Sequence, residues 1–298
     1  MAFKIFVDSS SDMPTALRRK LDIDYFRMGL VVNGETKFAD IDFQDYSPEE
    51  MYSWLSVHHY TIKTSLVTVG EFVEKMTPYL ERGLDILYLG CTTALSGTLN
   101  VFFTARDLLL EQFPDRKIVG INTTKADMAI GLMAIEVAKL KEQGKTIEEA
   151  TQWVEENKQY YHEVGSVETL SYLKAAGRVS GAKAFFGNMM HVKPMIMFDI
   201  HGHNYVYASV RGTKKSLEAS FEYIKTHVVP GKTDVVYVGQ AMAKEQQAYL
   251  TKRITEELNI PVEQFWIGPI VGLCCGPGMY GCWFRGDLIT ADSDATKK

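Results

Sequence analysis

What this chain lacks narrows its function before any motif is read. Across 298 residues there is no GxSxG, HExxH, GxxxxGK[ST] or GxGxxG in a context that would give it a mechanism. A nucleophile elbow, a zinc protease helix, a P-loop and a dinucleotide fingerprint are therefore excluded. There is no excess of positive charge: 32 Lys and Arg stand against 37 Asp and Glu, for a net charge of −5, and the two signs are mixed along the chain. That balance leaves no electrostatic footprint for nucleic acid. No apolar run approaches the roughly 20 residues needed to cross a bilayer. The opening MAFKIFVDSSSD meets Asp8 too early to hold the apolar core of a signal peptide, so a cytoplasmic location is expected. Cysteine is scarce. Cys91, Cys274, Cys275 and Cys282 lack metal-type spacing, and the adjacent pair cannot close an ordinary disulfide, so reduced thiols are expected. His58-His59 point apart near a helix end, and His201 and His203 flank a glycine with no paired acid or cysteine motif. They read as loop residues, and neither a metal nor a cofactor is expected.

What is present begins with Tyr88–Ala105, YLGCTTALSGTLNVFFTA, where the periodicity changes midway. Asp85 to Leu89 reads as the end of a buried strand, whereas Leu99, Phe102, Phe103 and Leu109 suit one apolar face of a helix. Between them lie Thr92, Thr93, Ser96, Gly97 and Thr98. A small polar turn there leaves first-turn N–H groups facing whatever lies beyond the strand end, a place for an anion. The same residues also suit a plain helix cap at Ser96.

Taken in order, strands alternate with helices. Phe3 to Val7 is a strand running into Asp8-Ser9-Ser10-Ser11-Asp12, with Pro14 opening a helix. An aspartate at the end of a first strand suits a phosphohydrolase nucleophile, with Ser96 and Thr123 as phosphate ligands. That class has a second aspartate two residues on, where Ser10 stands here. Asp22–Val32 and Glu35–Phe38 read as two strands joined at Asn33-Gly34, a hairpin signal. Tyr46-Ser47-Pro48-Glu49-Glu50 opens a helix. Lys63-Thr64-Ser65 reads as loop before a helix near Glu71. Asp115–Asn122 is a strand, and Ala126–Glu142 and Thr146–Tyr161 are helices. Such alternation predicts a parallel sheet covered on both faces, with ligands beyond its C-terminal strand ends at Asp8, Thr92 and Asn122. After about residue 160 the pattern shifts. Strands His162–Val167, Pro194–Asp199, Tyr205–Val210, Asp234–Gly239 and Gln264–Ile267 are interleaved with helices at Leu170–Ala176, Phe185–His191, 211–227 and Lys244–Leu258. Gly276-Pro277-Gly278 makes a tight turn before Met279–Phe284. The expected division is an α/β domain over 1–160, a smaller mixed α/β domain over 161–290 and a disordered tail over 291–298.

Six segments in one order resemble the DegV family of bacterial lipid-binding proteins: DSSSD at 8–12, KTSLVTVGEF at 63–72, ALSGT at 94–98, ETLSYLKAAGRVSG at 168–181, RGTKK at 211–215 and IGPIVGLCCGPG at 267–278. The resemblance spans nearly the whole chain. It implies a two-domain α/β fold that encloses one long-chain fatty acid, palmitate- or oleate-like, between its domains. It implies further that the acid is presented to a separate fatty acid kinase, which phosphorylates the carboxylate from ATP, while the carrier is not an enzyme. Carried over by position, Thr64 and Ser96 match the hydroxyls that bond the carboxylate, with Gly97 at the same helix start. Thr93 and Cys274 complete the candidate ligand-binding set, and Arg178 and Arg211 match arginines that engage the kinase or steer the phosphate. Cys274 stands where the family commonly has histidine, and Leu66, Val67 and Val69 replace its polar and proline positions.

The physics of such a site is simple. About fifteen methylenes buried at about 0.8 kcal/mol each supply on the order of 12 kcal/mol of gross transfer free energy, so the tail provides affinity. The carboxylate needs compensating donors, and these orient it. Phe102, Phe103, Met128, Met133, Phe185, Phe186, Met189 and Met190 suit an adaptable tunnel wall and equally suit an ordinary core.

Overall fold

The computed structural model describes residues 2–179 and 191–293. In chain order it has β1 (Phe3–Asp8), α1 (Thr15–Lys20), β2 (Ile23–Phe26), β3 (Gly29–Val32), β4 (Glu35–Phe38), α2 (Pro48–Ser56), β5 (Ile62–Ser65), α3 (Val69–Glu81), β6 (Asp85–Gly90), α4 (Thr98–Gln112), β7 (Ile118–Asn122), α5 (Met128–Glu142) and α6 (Ile147–Asn157). Then follow β8 (Tyr161–Ser166), α7 (Ser171–Ala176), β9 (Val192–Phe198), β10 (Asn204–Arg211), α8 (Thr213–His227), β11 (Val236–Gln240), α9 (Lys244–Arg253), β12 (Val262–Trp266), α10 (Pro269–Cys275) and β13 (Tyr280–Arg285). The helix expected at Phe185–His191 falls largely outside the described residues.

Two units form. The first comprises the chain up to Asp42 together with Ile62–Lys158, and the second comprises Phe43–Thr61 with the chain from Gln159 onward. In the first, β2-β1-β6-β7 make a wholly parallel sheet. Both β1 and β6 are buried at every position, as strands covered on two faces must be. From β1 the chain steps outward to β2 on one side and later to β6 on the other. The strand order thus reverses between β1 and β6, the position at which such sheets open a crevice. Rings fill the interior around this pair. Phe6 stacks on Phe26 at 4.6 Å, and Phe72 and Tyr88 meet Phe102 at 5.4 and 4.9 Å.

A second sheet, β4-β3-β5, is antiparallel. Its β3–β4 hairpin turns at Asn33 and Gly34 with φ of +50° and +89°, the paired positive angles that an Asn-Gly turn supplies. Asp22–Val32 is not one strand as expected. It breaks after Phe26, because β2 joins the parallel sheet whereas β3 pairs with β4 and β5. The predicted caps form. Ser47 Oγ accepts from the Glu50 amide, and Thr146 and Glu149 close a reciprocal capping box.

The second unit holds a mixed six-stranded sheet, β10-β9-β8-β13-β11-β12, in which only the β11–β12 pair is parallel. Val164, Phe221, Val238 and Phe284 lie in its core. Residues 43–61, expected in the first domain, belong here. The Tyr52 hydroxyl donates to the Ile267 carbonyl at 2.7 Å, and its ring stacks on Trp266. That addition makes the second unit the larger, contrary to expectation. Gly276 has φ +83°, and a Cβ there would stand 2.1 Å from the Tyr172 ring, so this turn admits no side chain. The expected disordered tail is held at its start. Ser293 is buried, and its hydroxyl donates to Asp199 Oδ2 at 2.6 Å. Burial pushes the Asp199 carboxyl up, but the bonds from Ser293, His203 and His201 outweigh it and hold the group below its usual range.

Candidate functional site

At the β1/β6 reversal point the polar strand ends lie side by side, as the alternation predicts. Asp8 closes β1 and is fully buried. One of its carboxylate oxygens accepts from the Ser10 amide at 2.9 Å and the Ser10 hydroxyl at 2.5 Å. The other accepts from the Tyr88 hydroxyl at 2.6 Å and the Cys91 amide at 3.0 Å. Burial and the Asp8 charge push the Tyr88 phenol well above its ordinary value, so it remains a donor. A nucleophile needs an oxygen facing substrate, whereas both oxygens of Asp8 are occupied, one by Ser10 in its own turn and the other by Tyr88 and Cys91 of the β6 strand and the turn after it. Thr123, the phosphate ligand in that hydrolase reading, is likewise buried and donates to the Gly90 carbonyl at 2.8 Å. The geometry therefore removes the support for Asp8 chemistry.

The turn after β6 carries the candidate ligands. The Thr92 amide donates to the Lys125 carbonyl at 2.7 Å, and Asn122 Nδ2 donates to Thr93 Oγ1 at 2.9 Å, so the β6 and β7 ends are laced together. Thr93 is exposed. Ser96 is half-buried: its Oγ donates to Thr98 Oγ1 at 2.9 Å and accepts from the Thr98 amide at 3.3 Å. Gly97 precedes the first turn of α4. The capping role and the ligand role of Ser96 are thus compatible. A hydroxyl has one proton to give, and if Ser96 turns its proton outward, buried Thr98 can donate in return.

Thr64 lies on β5, a strand where a loop was expected, and pairs with Leu30 of β3. The sequence concealed it because Ile62–Ser65 is only four residues long and alternates half-buried with exposed positions. Two residues on, the Leu66 Cδ1 lies 3.4 Å from where a Gly97 Cβ would be. The end of β5 and the Ser96-Gly97 turn therefore abut, which brings together the two segments carrying the hydroxyls. Of the apolar candidates, Phe102, Met128 and Met133 are buried in the first unit and Phe103 is half-buried, whereas Phe185, Phe186, Met189 and Met190 lie outside the described residues.

The remaining candidates are in the second unit. Arg178 follows the left-handed Gly177 at the end of α7 and donates to the Ala176 carbonyl. Arg211 is exposed at the end of β10. Cys274 sits on α10, half-buried, whereas the other three cysteines are fully buried; all four are free thiols. Burial pushes the Cys274 thiol up to about 11, with the Arg178 charge pulling the other way. It is a neutral thiol at physiological pH and a weak donor. At pH 7.5 iodoacetamide should therefore label the Cys274 peptide on the order of a hundredfold more slowly than free cysteine, by quantitative mass spectrometry. Labelling should accelerate only as pH approaches 11; equal rates at neutral pH would contradict this environment.

The two loop histidines have acidic partners, which no local motif in the sequence displays. His203 Nδ1 is 3.4 Å from Asp199 Oδ2, and His201 Nε2 is 3.7 Å from Asp292. Among the described residues no helix is long and apolar enough to cross a membrane.

The arrangement in the first unit gathers hydroxyls and amides between the end of β6 and the start of α4. Comparison with known proteins agrees with the resemblance seen in the sequence. The model of the family described as "Uncharacterised protein, DegV family" matches residues 2–286. A DegV domain-containing protein of Clostridium perfringens is 33% identical over 289 residues, covering 96% of this chain and 98% of that one. Among solved structures, a DegV lipid binding protein from Thermotoga maritima aligns with TM-score 0.82 at 25% identity, over 97% of this chain and 100% of the other. A DegV family protein from Thermus thermophilus, described for its fatty acid binding, aligns with TM-score 0.84 at 24% identity, over 96% and 100%.

Proposed function

This chain belongs to the DegV family, and from that premise we propose that it binds one long-chain fatty acid, holding the carboxylate with the Thr64 and Ser96 hydroxyls. The observation that carries the reading is the contact of the β5 end with the Ser96-Gly97 turn, through Leu66, beside the reversal point of the sheet. Thr93, exposed beside the turn, adds a further hydroxyl. The lipid binding described for the Thermotoga maritima protein supports the choice of ligand. In this reading the apolar tail supplies the free energy and the hydroxyls fix the position of the head group. The chain itself carries out no bond-breaking step.

The reading extends to a partner, an ATP-dependent fatty acid kinase to which the carboxylate is presented. Exposed Arg211 and half-buried Arg178 are the candidate contacts, since guanidinium groups suit phosphate oxygens. Cys274 fills the position of the family's histidine as a neutral thiol.

Lipid extracted from the purified protein and identified by mass spectrometry tests the ligand. About one palmitate- or oleate-like acid per chain is expected. A protein that is lipid-free as purified and takes up neither acid on incubation would overturn the reading.

A further inference from the structure

The second unit brings together three donor side chains far apart in sequence. His162 lies on β8, His227 in the last turn of α8 and Asp287 just past β13. Each offers one ligand atom, and the three atoms lie within 4.8 Å of one another. Asp287 Oδ1 is 3.2 Å from His162 Nε2 and 2.9 Å from His227 Nδ1. Tetrahedral coordination with bonds of about 2.0–2.1 Å places donors about 3.3 Å apart, so two of the three edges already have suitable spacing.

The surroundings fix the buried ring. His162 is stacked against His227 at 5.1 Å and against Phe284 at 5.1 Å, and its Nδ1 is 2.8 Å from the Tyr223 hydroxyl. A partner on the far nitrogen is the arrangement that orients a metal-bound histidine. Gly286 keeps the near side clear, since a Cβ there would stand 3.0 Å from His162 Nε2 and 2.5 Å from the His227 carbonyl oxygen.

We propose that His162, His227 and Asp287 form a binding site for one divalent transition-metal ion of the zinc type. Two imidazoles and one carboxylate suit that class, whereas magnesium and calcium take oxygen shells. To bind, His162 presents its Nε2 lone pair and donates from Nδ1–H to the Tyr223 hydroxyl, an exchange of tautomers without change of charge. The Asp287 carbonyl oxygen, 2.8 Å from Nε2, gives up that contact. Water or this carbonyl fills the fourth position. The ion links β8, the end of α8 and the segment after β13, so its effect is on the stability of this unit. None of these residues is among the candidate ligands for lipid.

The full-length protein, stripped with chelator, is titrated with zinc chloride by calorimetry and melted with and without the ion. One equivalent of zinc bound and a midpoint raised by a few degrees are expected, with no rise in magnesium. His227→Ala and Asp287→Ala each weaken zinc binding at least about tenfold and remove the rise. His203→Ala, at the other histidine pair, changes neither. The proposal fails if the wild type binds zinc no better than His227→Ala and Asp287→Ala, or if His203→Ala abolishes the binding.

Discussion

Replacing Asp8 with alanine should destabilise the protein by about 3–5 kcal/mol, a large share of the roughly 5–15 kcal/mol typical of a folded domain. The reason is the number of donors left behind. The Ser10 amide and hydroxyl, the Tyr88 hydroxyl and the Cys91 amide all end on this carboxylate, and Asp8, Ser10 and Tyr88 are fully buried. Each buried donor left without an acceptor costs about 1–3 kcal/mol, partly offset where the turn relaxes. Asp8→Asn keeps the shape but turns an amide N–H₂ toward donors at one of the two oxygens, so it should lose somewhat less. Urea unfolding followed by circular dichroism measures both. A midpoint unchanged in both variants would show that Asp8 does not tie β1 to β6. Because the Cys91 amide belongs to the turn that leads to Ser96, the loss should extend to ligand retention. It would act by loosening this turn rather than by removing a reacting group.

Asp8 also marks the limit of what the sequence discloses. That a polar turn follows β1, β6 and β7 is local information, carried by hydroxyl residues between an apolar run and a helical spacing, and it places Asp8, Thr92 and Asn122 at neighbouring strand ends. The role of Asp8 is not local. Tyr88 and Cys91 stand 80 and 83 positions away, and nothing in DSSSD distinguishes a structural anchor from a nucleophile. That residues 43–61 group with the second unit is hidden for the same reason, because the Tyr52–Ile267 bond spans 215 positions. The strand bearing Thr64 is hidden on a different ground. Its four residues have no apolar alternation strong enough to register, and only pairing with β3 makes them a strand. The functional expectation rests on six short segments in the right order, which is information about descent rather than about physics. The contact between Leu66 and Gly97 is what gives it a physical form.

The second large effect concerns that form. A Thr64→Val, Ser96→Ala double variant should bind a long-chain fatty acid about 100-fold or more weakly than wild type, from two lost hydrogen bonds to a charged group at about 1.5–3 kcal/mol each. The two changes differ in side effects. Valine matches threonine in shape and suits a strand, so Thr64→Val should leave stability nearly unchanged. Ser96→Ala also removes the acceptor of the Thr98 amide, so it should cost about 1 kcal/mol as the loss of an ordinary cap does. A drop in stability without a drop in affinity would leave Ser96 a cap and nothing more. Affinity for the acid should be compared with affinity for its methyl ester, which keeps the tail and lacks the charge. If the hydroxyls hold the carboxylate, the variant should lose much less affinity for the ester, whose carbonyl accepts only neutral hydrogen bonds, than for the acid. Equal losses toward both ligands would mean that the substitutions had damaged the apolar cavity instead. Equal affinity of wild type and variant for the acid would remove Thr64 and Ser96 from the site altogether.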